Sequence, residues 1–397
     1  MCHLGLTLPI ILTIRCDPMN ATAPPPPNPN QAWCAPELCV VVPTFNESAN
    51  VTALVQQLER ALSGVAWEVV FVDDDSPDQT FDHAWQLSRV NPRVRCLRRV
   101  GRRGLATACI EGMLSTAAPY VAVMDGDLQH DETRLPLMLK ALRDDGYDLA
   151  VGSRYTEGGS IGAWSTDRVR TSRVATTLAQ RVLRAPLHDP MSGFFMLKRD
   201  VLQQVVHRLS GMGFKILLDI VASAPTPLRI HEVPFEFRQR QAGQSKLDER
   251  VIYEFLLLLV DKTIGRFIPT RLVSFAAVGG LGVGVHLAIL STLLMGFGAA
   301  FTVAQTSAVV VSMMFNFFVN NTLTYQDKKL TGWALLPGLL KFMAACALGA
   351  SANVGVASYL YADWGNWFGS GLAGIVVGLF WNYSVTSMLV WSGRGRV

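Results

Sequence analysis

Short, continuous runs of apolar residues alternate with longer stretches of helical periodicity in the first half of the chain. Three runs, Leu38–Val42, Trp67–Val72 and Tyr120–Met124, have the length and composition of buried parallel strands. The stretches between them, Asn50–Leu62 and Phe81–Ser88, are predicted helices. This alternation predicts an α/β domain with a doubly wound sheet, a fold that binds its ligands beyond the carboxyl ends of the strands.

The second half of the chain has a different pattern, with long apolar spans and few charges. Of the charged residues, seven lie from Leu272 onward. About 20 apolar residues in a helix are enough to cross the 30 Å hydrocarbon core of a bilayer. We therefore predict an all-α membrane domain over 269–397. Its spans are expected at about 272–294, 301–319, 335–360 and 367–391.

The charges beside these spans predict how the chain is oriented. In a four-pass arrangement the other side carries only Asp363. Cytoplasmic loops are enriched in Lys and Arg, so both termini and the front domain are expected on the cytoplasmic face. The basic residues that fall together on one side are Arg271, Lys328, Lys329, Arg394 and Arg396.

Three further segments complete the predicted organisation. Residues 1–33 are interpreted as a disordered leader, because a short apolar run is followed by the prolines Pro24–Pro27. Residues 34–248 form the α/β domain. Residues 249–268 are predicted to be an interfacial amphipathic helix, with a simple connecting helix as the alternative. The first span is rich in glycine, which permits close helix packing and leaves a homo-oligomer formed through the membrane domain open.

Composition supports a membrane protein and excludes several other classes. The chain has 397 residues, of which 50% are hydrophobic and only 17% charged, whereas soluble domains carry about 25% charged residues. The net charge of +4 is too small to indicate nucleic-acid binding. Its seven cysteines show no metal-binding or disulfide spacing, which favours reduced thiols.

The sharpest chemical signal is the segment Asp125–Gln129, which directly follows a predicted strand. Asp125 and Asp127 are two residues apart, and Gln129 adds an amide oxygen. Mg²⁺ and Mn²⁺ prefer such oxygen ligands and commonly bridge to substrate phosphates. Asp and Gly are also common in turns, so the segment alone leaves a plain turn open.

Other polar residues follow the predicted strands or lie further along the chain. Glu47 and Asp74 can accept hydrogen bonds from the hydroxyls and base of a nucleoside, with helix capping as the alternative. Arginines favour bidentate contacts with phosphate, although a solvated basic surface would have the same composition. The basic residues in question are Arg154, Arg168, Arg170, Arg173, Arg238, Arg240 and Lys246.

These motifs resemble a known family when they are taken in order. Pro43–Glu47, Val72–Asp78 and Asp125–His130 resemble the family 2 glycosyltransferases of GT-A fold. Residues 268–392 resemble the GtrA-like membrane domain. Four later segments narrow the resemblance to dolichyl/polyprenyl-phosphate mannose synthases: Gly152–Tyr155, Asp189–Phe195, Gly213–Lys215 and Arg240–Lys246.

The resemblance implies a role for each matching residue. Mg²⁺ or Mn²⁺ would be held on the donor diphosphate by Asp125, Asp127 and Gln129, with Gly126 between the carboxylates. The acceptor phosphate and the transferred sugar would be gathered by Arg154, Arg168 and Ser172, and Arg240 and Lys246 would close over the donor. The nucleoside would be held by Pro43, Phe45, Glu47, Val72 and Asp74.

The implied reaction moves mannose from GDP-mannose to a polyprenyl monophosphate with inversion. A phosphate monoester has a second pKa near 6, so the nucleophile is ionised at pH 7 without a general base. Two alternatives stay open: UDP-glucose with undecaprenyl phosphate, and a synthase that also flips its product, since His286 and Asn316 are polar groups inside the spans. A processive polysaccharide synthase and a sugar-nucleotide sensor fit the sequence less well.

Overall fold

The front half of the chain forms one mixed sheet. The computed structural model describes residues 35–160, 175–183, 186–238, 249–265 and 268–392. Within this described part the strands are β1 (Leu38–Thr44), β2 (Trp67–Asp73), β3 (Val94–Arg98), β4 (Tyr120–Val123), β5 (Leu149–Ser153), β6 (Phe195–Lys198) and β7 (Ile230–Pro234). They are ordered β3-β2-β1-β4-β6-β5-β7 across the sheet.

Helices connect the strands and continue beyond the sheet. A further helical segment covers 175–182. The helices are α1 (Val51–Ala61), α2 (Thr80–Val90), α3 (Leu105–Leu114), α4 (Leu135–Arg143), α5 (Arg199–Val205), α6 (Ile216–Ser223), α7 (Glu249–Ile264), α8 (Thr270–Ser291), α9 (Phe301–Val319), α10 (Leu335–Trp364) and α11 (Trp367–Leu389).

The sheet is buried on both faces, as its continuous apolar strands predicted. Leu38, Val40 and Val42 of β1 belong to the apolar cluster on one face. The alternate residues Cys39 and Val41 belong to the cluster on the other face. Alternation along a strand sends successive side chains to opposite faces, so helices must cover both. The predicted α/β class is confirmed.

One strand departs from the parallel pattern and matters for the site. β6 runs antiparallel to both of its neighbours, β4 and β5. Phe195 at the start of β6 therefore pairs with Val123 at the end of β4. Because of this reversal, the segment just before β6, Asp189–Gly193, lies at the carboxyl edge of the parallel strands rather than at the opposite edge.

The rear half consists of apolar helices. Within the described residues, four helices are long and apolar enough to cross a membrane: Thr270–Gly296, Phe301–Thr324, Gly332–Asp363 and Gly369–Leu389. These lie close to the predicted spans. His286, Ser312 and Asn316 line a cavity of about 190 Å³ between α8 and α9. The domain boundaries stay a prediction, and the leader over 1–33 lies outside the described residues.

Helix α7 joins the two halves and has two different faces. Phe255 and Leu258 are buried against Met191 and Leu218 of the front domain. Ile252 and Leu256 on the other face are large, apolar and exposed. A helix is thus present over most of the predicted segment, with one apolar face packed on protein and another uncovered, and its interfacial position stays a prediction.

Candidate active site

The loop after β4 is held in a fixed shape by its own backbone and by the chain after β7. Leu128 is buried and adopts a left-handed backbone conformation (φ 63°), which is costly for a residue with a side chain. Oδ1 of Asp127 accepts the N–H of Gln129 (3.2 Å). Nε2 of Gln129 donates to the carbonyl of Arg238 (2.9 Å), so the amide oxygen of Gln129 is directed away from that carbonyl.

The two carboxylates of this loop differ in exposure. The Asp125 side chain is 36% exposed, whereas Asp127 is only 4% exposed. Between them, a Cβ on Gly126 would lie 3.3 Å from Cγ2 of Thr44 and 3.7 Å from Cγ of Glu47. The loop after β4 therefore rests directly on the end of β1, which brings Glu47 beside the acidic pair.

His130 supports the exposed carboxylate and was missed as a site residue by sequence reasoning. Its ring is buried and stacks on Phe194 (centroids 5.1 Å apart). Nδ1 accepts the backbone N–H of Asp125 (3.1 Å), and Nε2 lies 3.7 Å from Oδ2 of Asp125. The only available signal was its place at the end of the Asp125–His130 motif.

The three consecutive aspartates at the end of β2 differ in their exposure and in their hydrogen-bond partners. Asp73 is buried and accepts hydrogen bonds from the backbone N–H and hydroxyl of Ser76. Asp75 forms an exposed ion pair with Arg98. Asp74, the one that the resemblance assigned to the nucleoside, pairs with Arg99, and the sequence alone did not separate the roles of the three.

Asp74 is held by two N–H donors, one from the buried side chain of Arg99 and one from the backbone of Gly104. Nη1 of Arg99 donates to Oδ1 (2.7 Å), and the N–H of Gly104 donates to Oδ2 (2.7 Å). Burial is the main influence on the pKa of Asp74 and raises it, while Gly104 and Arg99 act to lower it. A carboxylate offers about four lone-pair sites, so these two bonds leave acceptor capacity for a ligand hydroxyl or base.

The segment after β1 forms a second wall. Pro43 pairs with Val72 in the sheet, which places both predicted nucleoside contacts on adjacent strands. The guanidinium of Arg103 lies over the ring of Phe45 (4.6 Å to the centroid), an arrangement that cation–π attraction stabilises. Oε2 of Glu47 accepts a hydrogen bond from Nδ2 of Asn50 (2.7 Å).

Arg154 has a partner that the sequence did not reveal. Its Nε and Nη2 donate to the two carboxylate oxygens of Asp189 (2.7 and 2.8 Å). The Arg154 side chain is 9% exposed and that of Asp189 is 0% exposed. This buried fork ties the end of β5 to the turn before β6. Contact between Arg154 and an acceptor phosphate stays a prediction.

The turn anchored by Asp189 reaches the acidic pair. A Cβ on Gly193 would lie 3.2 Å from Oδ2 of Asp125. Nζ of Lys215 lies 3.5 Å from the carbonyl of Met191 in the same turn. Four of the predicted residues, Arg168, Ser172, Arg240 and Lys246, lie outside the described residues.

The donor set suits a hard divalent cation. Asp125 and Asp127 provide carboxylates, and Gln129 provides an amide oxygen in a fixed orientation. Among the residues that the structure describes, no group of three or more His, Cys, Asp or Glu side chains is close enough to hold a metal ion. Mg²⁺ is commonly held by one or two carboxylates together with substrate phosphates, which this arrangement permits.

Comparison with known proteins assigns the class. Residues 39–206 match Glycosyl transferase family 2, and residues 274–391 match the GtrA/DPMS transmembrane domain. The mixed sheet with its acidic carboxyl edge, followed by these apolar helices, therefore defines a membrane glycosyltransferase of GT-A fold. The predicted fold class and reaction class are confirmed.

Relatives of known name narrow the class to one family. The chain is 34% identical over 360 residues to a dolichol-phosphate mannosyltransferase of Pyrococcus furiosus, which covers 90% of this chain and 99% of that protein. It is 34% identical over 248 residues to a dolichol-phosphate mannosyltransferase of Saccharomyces cerevisiae, covering 60% of this chain and 91% of that protein. This chain belongs to the dolichol-phosphate mannosyltransferase family.

Solved structures show a more distant likeness. Glucosyl-3-phosphoglycerate synthase from Mycobacterium tuberculosis with UDP has a TM-score of 0.45 and 17% identity, covering 57% of this chain and 80% of that chain. The same enzyme with Mn²⁺, UDP-glucose and phosphoglyceric acid has a TM-score of 0.44 and 16% identity, covering 57% and 79%.

Proposed function

We propose that this protein transfers mannose from GDP-mannose to an oxygen of a polyprenyl monophosphate, with inversion at the anomeric carbon. The observation that carries the proposal is the pair Asp125 and Asp127 at the carboxyl edge of the sheet, in a chain that matches a dolichol-phosphate mannosyltransferase over 99% of that protein's length. The catalytic domain lies on the cytoplasmic face, where the flanking basic residues favour it.

The donor binds across the ends of β1, β2 and β4. Phe45 and Pro43 contact the nucleoside on one side and Val72 on the other. Asp74 and Glu47 accept hydrogen bonds from its hydroxyls and base. Support comes from the pairing of Pro43 with Val72 and from the contact of Gly126 with the end of β1, which bring these residues and the acidic pair to one edge.

A divalent cation, Mg²⁺ or Mn²⁺, would be held by Asp125, Asp127 and Gln129 together with the diphosphate. When bound, it supplies Lewis-acid stabilisation of charge on the departing nucleoside diphosphate. The protein's own contribution is to orient the oxygen ligands. The carbonyl of Arg238 orients Gln129, and His130 accepts the backbone N–H of Asp125 and lies 3.7 Å from its Oδ2.

The acceptor phosphate is recognised by cationic groups rather than activated by a base. Arg154, Arg168 and Ser172 orient it, and Arg240 and Lys246 close over the donor. Nε and Nη2 of Arg154 bind the two carboxylate oxygens of Asp189, which fixes the orientation of the guanidinium. A positive group that is held in place in this way can offset the charge of the incoming phosphate without rearranging during the reaction.

The membrane helices bring the enzyme to its acceptor. Exposing a polyprenyl chain to water costs about 0.8 kcal/mol for each CH₂ group, so the acceptor stays in the bilayer and the site must lie at its surface. The uncovered apolar face of α7, with Ile252 and Leu256, suits insertion into the headgroup boundary.

Asp127→Asn is the direct test. The amide oxygen can still accept the N–H of Gln129, so we expect the protein to fold and insert while transfer falls at least about 100-fold. Purified variants would be assayed with a panel of nucleotide sugars and mass spectrometry of the lipid product. Asp145→Asn, a change at an exposed loop residue, is the control and should be fully active.

The donor panel also distinguishes the alternative substrates. GDP-mannose should give a polyprenyl-phosphate mannose as the main product. A wild-type protein that makes only a glucosylated undecaprenyl phosphate from UDP-glucose would refute the proposed donor. Metal-dependent transfer that survives in Asp127→Asn would refute the role of the acidic pair.

A further inference from the structure

Two adjacent charged residues interrupt the apolar sequence of α7. Asp261 and Lys262 follow the run Leu256–Val260 near the end of the helix. A lysine at a membrane surface ordinarily extends its ammonium group toward water and lipid headgroups. Lys262 does the opposite, because its side chain is only 7% exposed. Its buried contacts therefore need an explanation.

Lys262 binds the front domain with its entire ammonium group. Nζ lies 2.6 Å from Oδ1 of Asp219, whose side chain is 0% exposed. It also donates to the carbonyl of Arg208 (2.9 Å) and to Oγ of Ser223 (2.9 Å). An ammonium group has three N–H donors, so three acceptors fix its position from three directions.

Asp219, which binds Lys262 through Oδ1, also holds a loop that leads toward the active site. Its Oδ2 accepts the backbone N–H and the hydroxyl of Ser210 (2.9 and 2.8 Å) and the N–H of Gly211 (3.2 Å). The loop that it holds leads to Lys215, whose Nζ lies 3.5 Å from the carbonyl of Met191. That carbonyl belongs to the turn that rests against Asp125.

The opposite side of α7 is fixed to the membrane helices. Oδ1 of Asp261 accepts the hydroxyl of Thr270 at the start of α8 (2.8 Å). The hydroxyl of Tyr253 bonds that of Ser274 in α8. Ser274 in turn bonds the hydroxyl of Thr324 (2.8 Å). Nζ of Lys262 also lies 3.5 Å from Oδ2 of Asp261. Adjacent, paired residues of one helix thus bind the membrane domain and the front domain.

We propose that the Asp261–Lys262 step is a tether that sets the depth and tilt of the active site relative to the bilayer, and that Lys262 is a positioning residue for a lipid-embedded acceptor. This inference rests on the proposed function. An acceptor whose chain is embedded in the bilayer presents its phosphate at one depth, and a 1 Å misplacement can cost about 100-fold in rate. A water-soluble acceptor diffuses to the site from any direction and needs no such alignment.

The test compares two acceptors with the full-length protein in lipid vesicles. One acceptor is a long polyprenyl phosphate in the bilayer, and the other is a water-soluble phosphate carrying two isoprene units. Lys262→Met should lower kcat/KM for the embedded acceptor by about 10-fold or more. Oδ2 of Asp219 keeps its bonds to Ser210 and Gly211 in this variant, because Lys262 contacts only Oδ1. The donor KM and the kcat/KM of the soluble acceptor should therefore stay at their wild-type values. Lys329→Met, which removes an exposed lysine near the membrane helices, is the matched control.

Every other outcome refutes either the proposed positioning role of Lys262 or the proposed transferase function on which it rests. A purely structural role of Lys262 would lower activity with both acceptors in parallel, and a dispensable Lys262 would lower neither. A wild-type protein that uses neither acceptor would refute the proposed function itself. Thr270→Val removes the hydrogen bond between Thr270 and Asp261 on the membrane side of α7 and leaves the contacts with the front domain intact. Thr270→Val should also lower kcat/KM for the embedded acceptor only, by a smaller factor. This second variant keeps the test decisive if Lys262→Met does not fold.

Discussion

Replacing Asp189 with asparagine tests the buried fork that anchors the turn before β6. Two side-chain bonds from Arg154, at 2.7 and 2.8 Å, engage both carboxylate oxygens. The backbone N–H of Arg154 also donates to Oδ2 (3.1 Å). In Asp189→Asn one oxygen becomes an NH₂ group that faces N–H donors, and the positive charge of Arg154 is left without its counter-ion.

The burial of this ion pair indicates how much free energy of unfolding the substitution removes. Removing one partner of a buried ion pair costs about 3–5 kcal/mol, and Arg154 and Asp189 are buried enough, at 9% and 0% exposure, for that range to apply. For a domain of this size, 1 kcal/mol lowers the melting temperature by about 2–4 °C. Asp189→Asn should therefore lower the melting temperature of the front domain by about 6–20 °C.

Thermal unfolding in detergent, followed by intrinsic tryptophan fluorescence, measures this change. Asp144→Asn is the matched control, because Asp144 pairs with Arg143 at the surface and should leave the melting temperature unchanged. Transfer by the folded Asp189→Asn protein should also fall, since Gly193 of the displaced turn abuts Asp125. A melting temperature equal to that of the control would refute the assignment of the fork as a stabilising contact.

Two further predictions concern packing and pH. In Gly112→Ala, the new Cβ would clash with Cγ1 of Val41, so overpacking should destabilise the protein by about 1–3 kcal/mol. An unchanged calorimetric melting temperature would contradict the close contact of α3 with β1. Burial acts to raise the pKa of Asp78, but hydrogen bonds from Thr80 and Ser48 leave it below the ordinary value of 3.8. A folded-state pKa below the unfolded one stabilises the protein above pH 3.8, and this stability is lost as the pH falls through the folded pKa. Asp78→Asn should thus be less stable than wild type at pH 7, with a difference that narrows as the pH falls below 3.8; a constant difference would contradict this.

Local pattern was sufficient for much of the fold. The apolar runs at Leu38–Val42 and Trp67–Val72 became β1 and β2 with two and one further residues, respectively. A strand buried on both faces has to be continuously apolar, and a helix that crosses lipid has to be apolar over its whole length. Both constraints leave a clear mark on the sequence, so these elements were predictable.

The partners of buried charges were not predictable in the same way. Arg154 and Asp189 are 35 residues apart, and Asp219 and Lys262 are also far apart in sequence. The first pair forms because the antiparallel β6 brings the turn before it to the end of β5, and the second because α7 packs against α6. The local sequence pattern carries no information about such long-range contacts, so the sequence assigned Arg154 to the acceptor without its partner and gave Lys262 no role of its own.

The way in which α7 is fixed explains why this enzyme uses a rigid connection to its membrane domain. The helix has 16 residues, which corresponds to a rod about 24 Å long. A flexible linker of the same number of residues would have an r.m.s. span of about 20–24 Å, so the average reach would be similar, but the site would sample a wide range of depths. The acceptor phosphate occupies a narrow layer at the membrane surface, and only the part of that range that overlaps the layer is productive. Anchoring α7 through Lys262 on one side and Asp261 on the other removes this spread before the acceptor arrives.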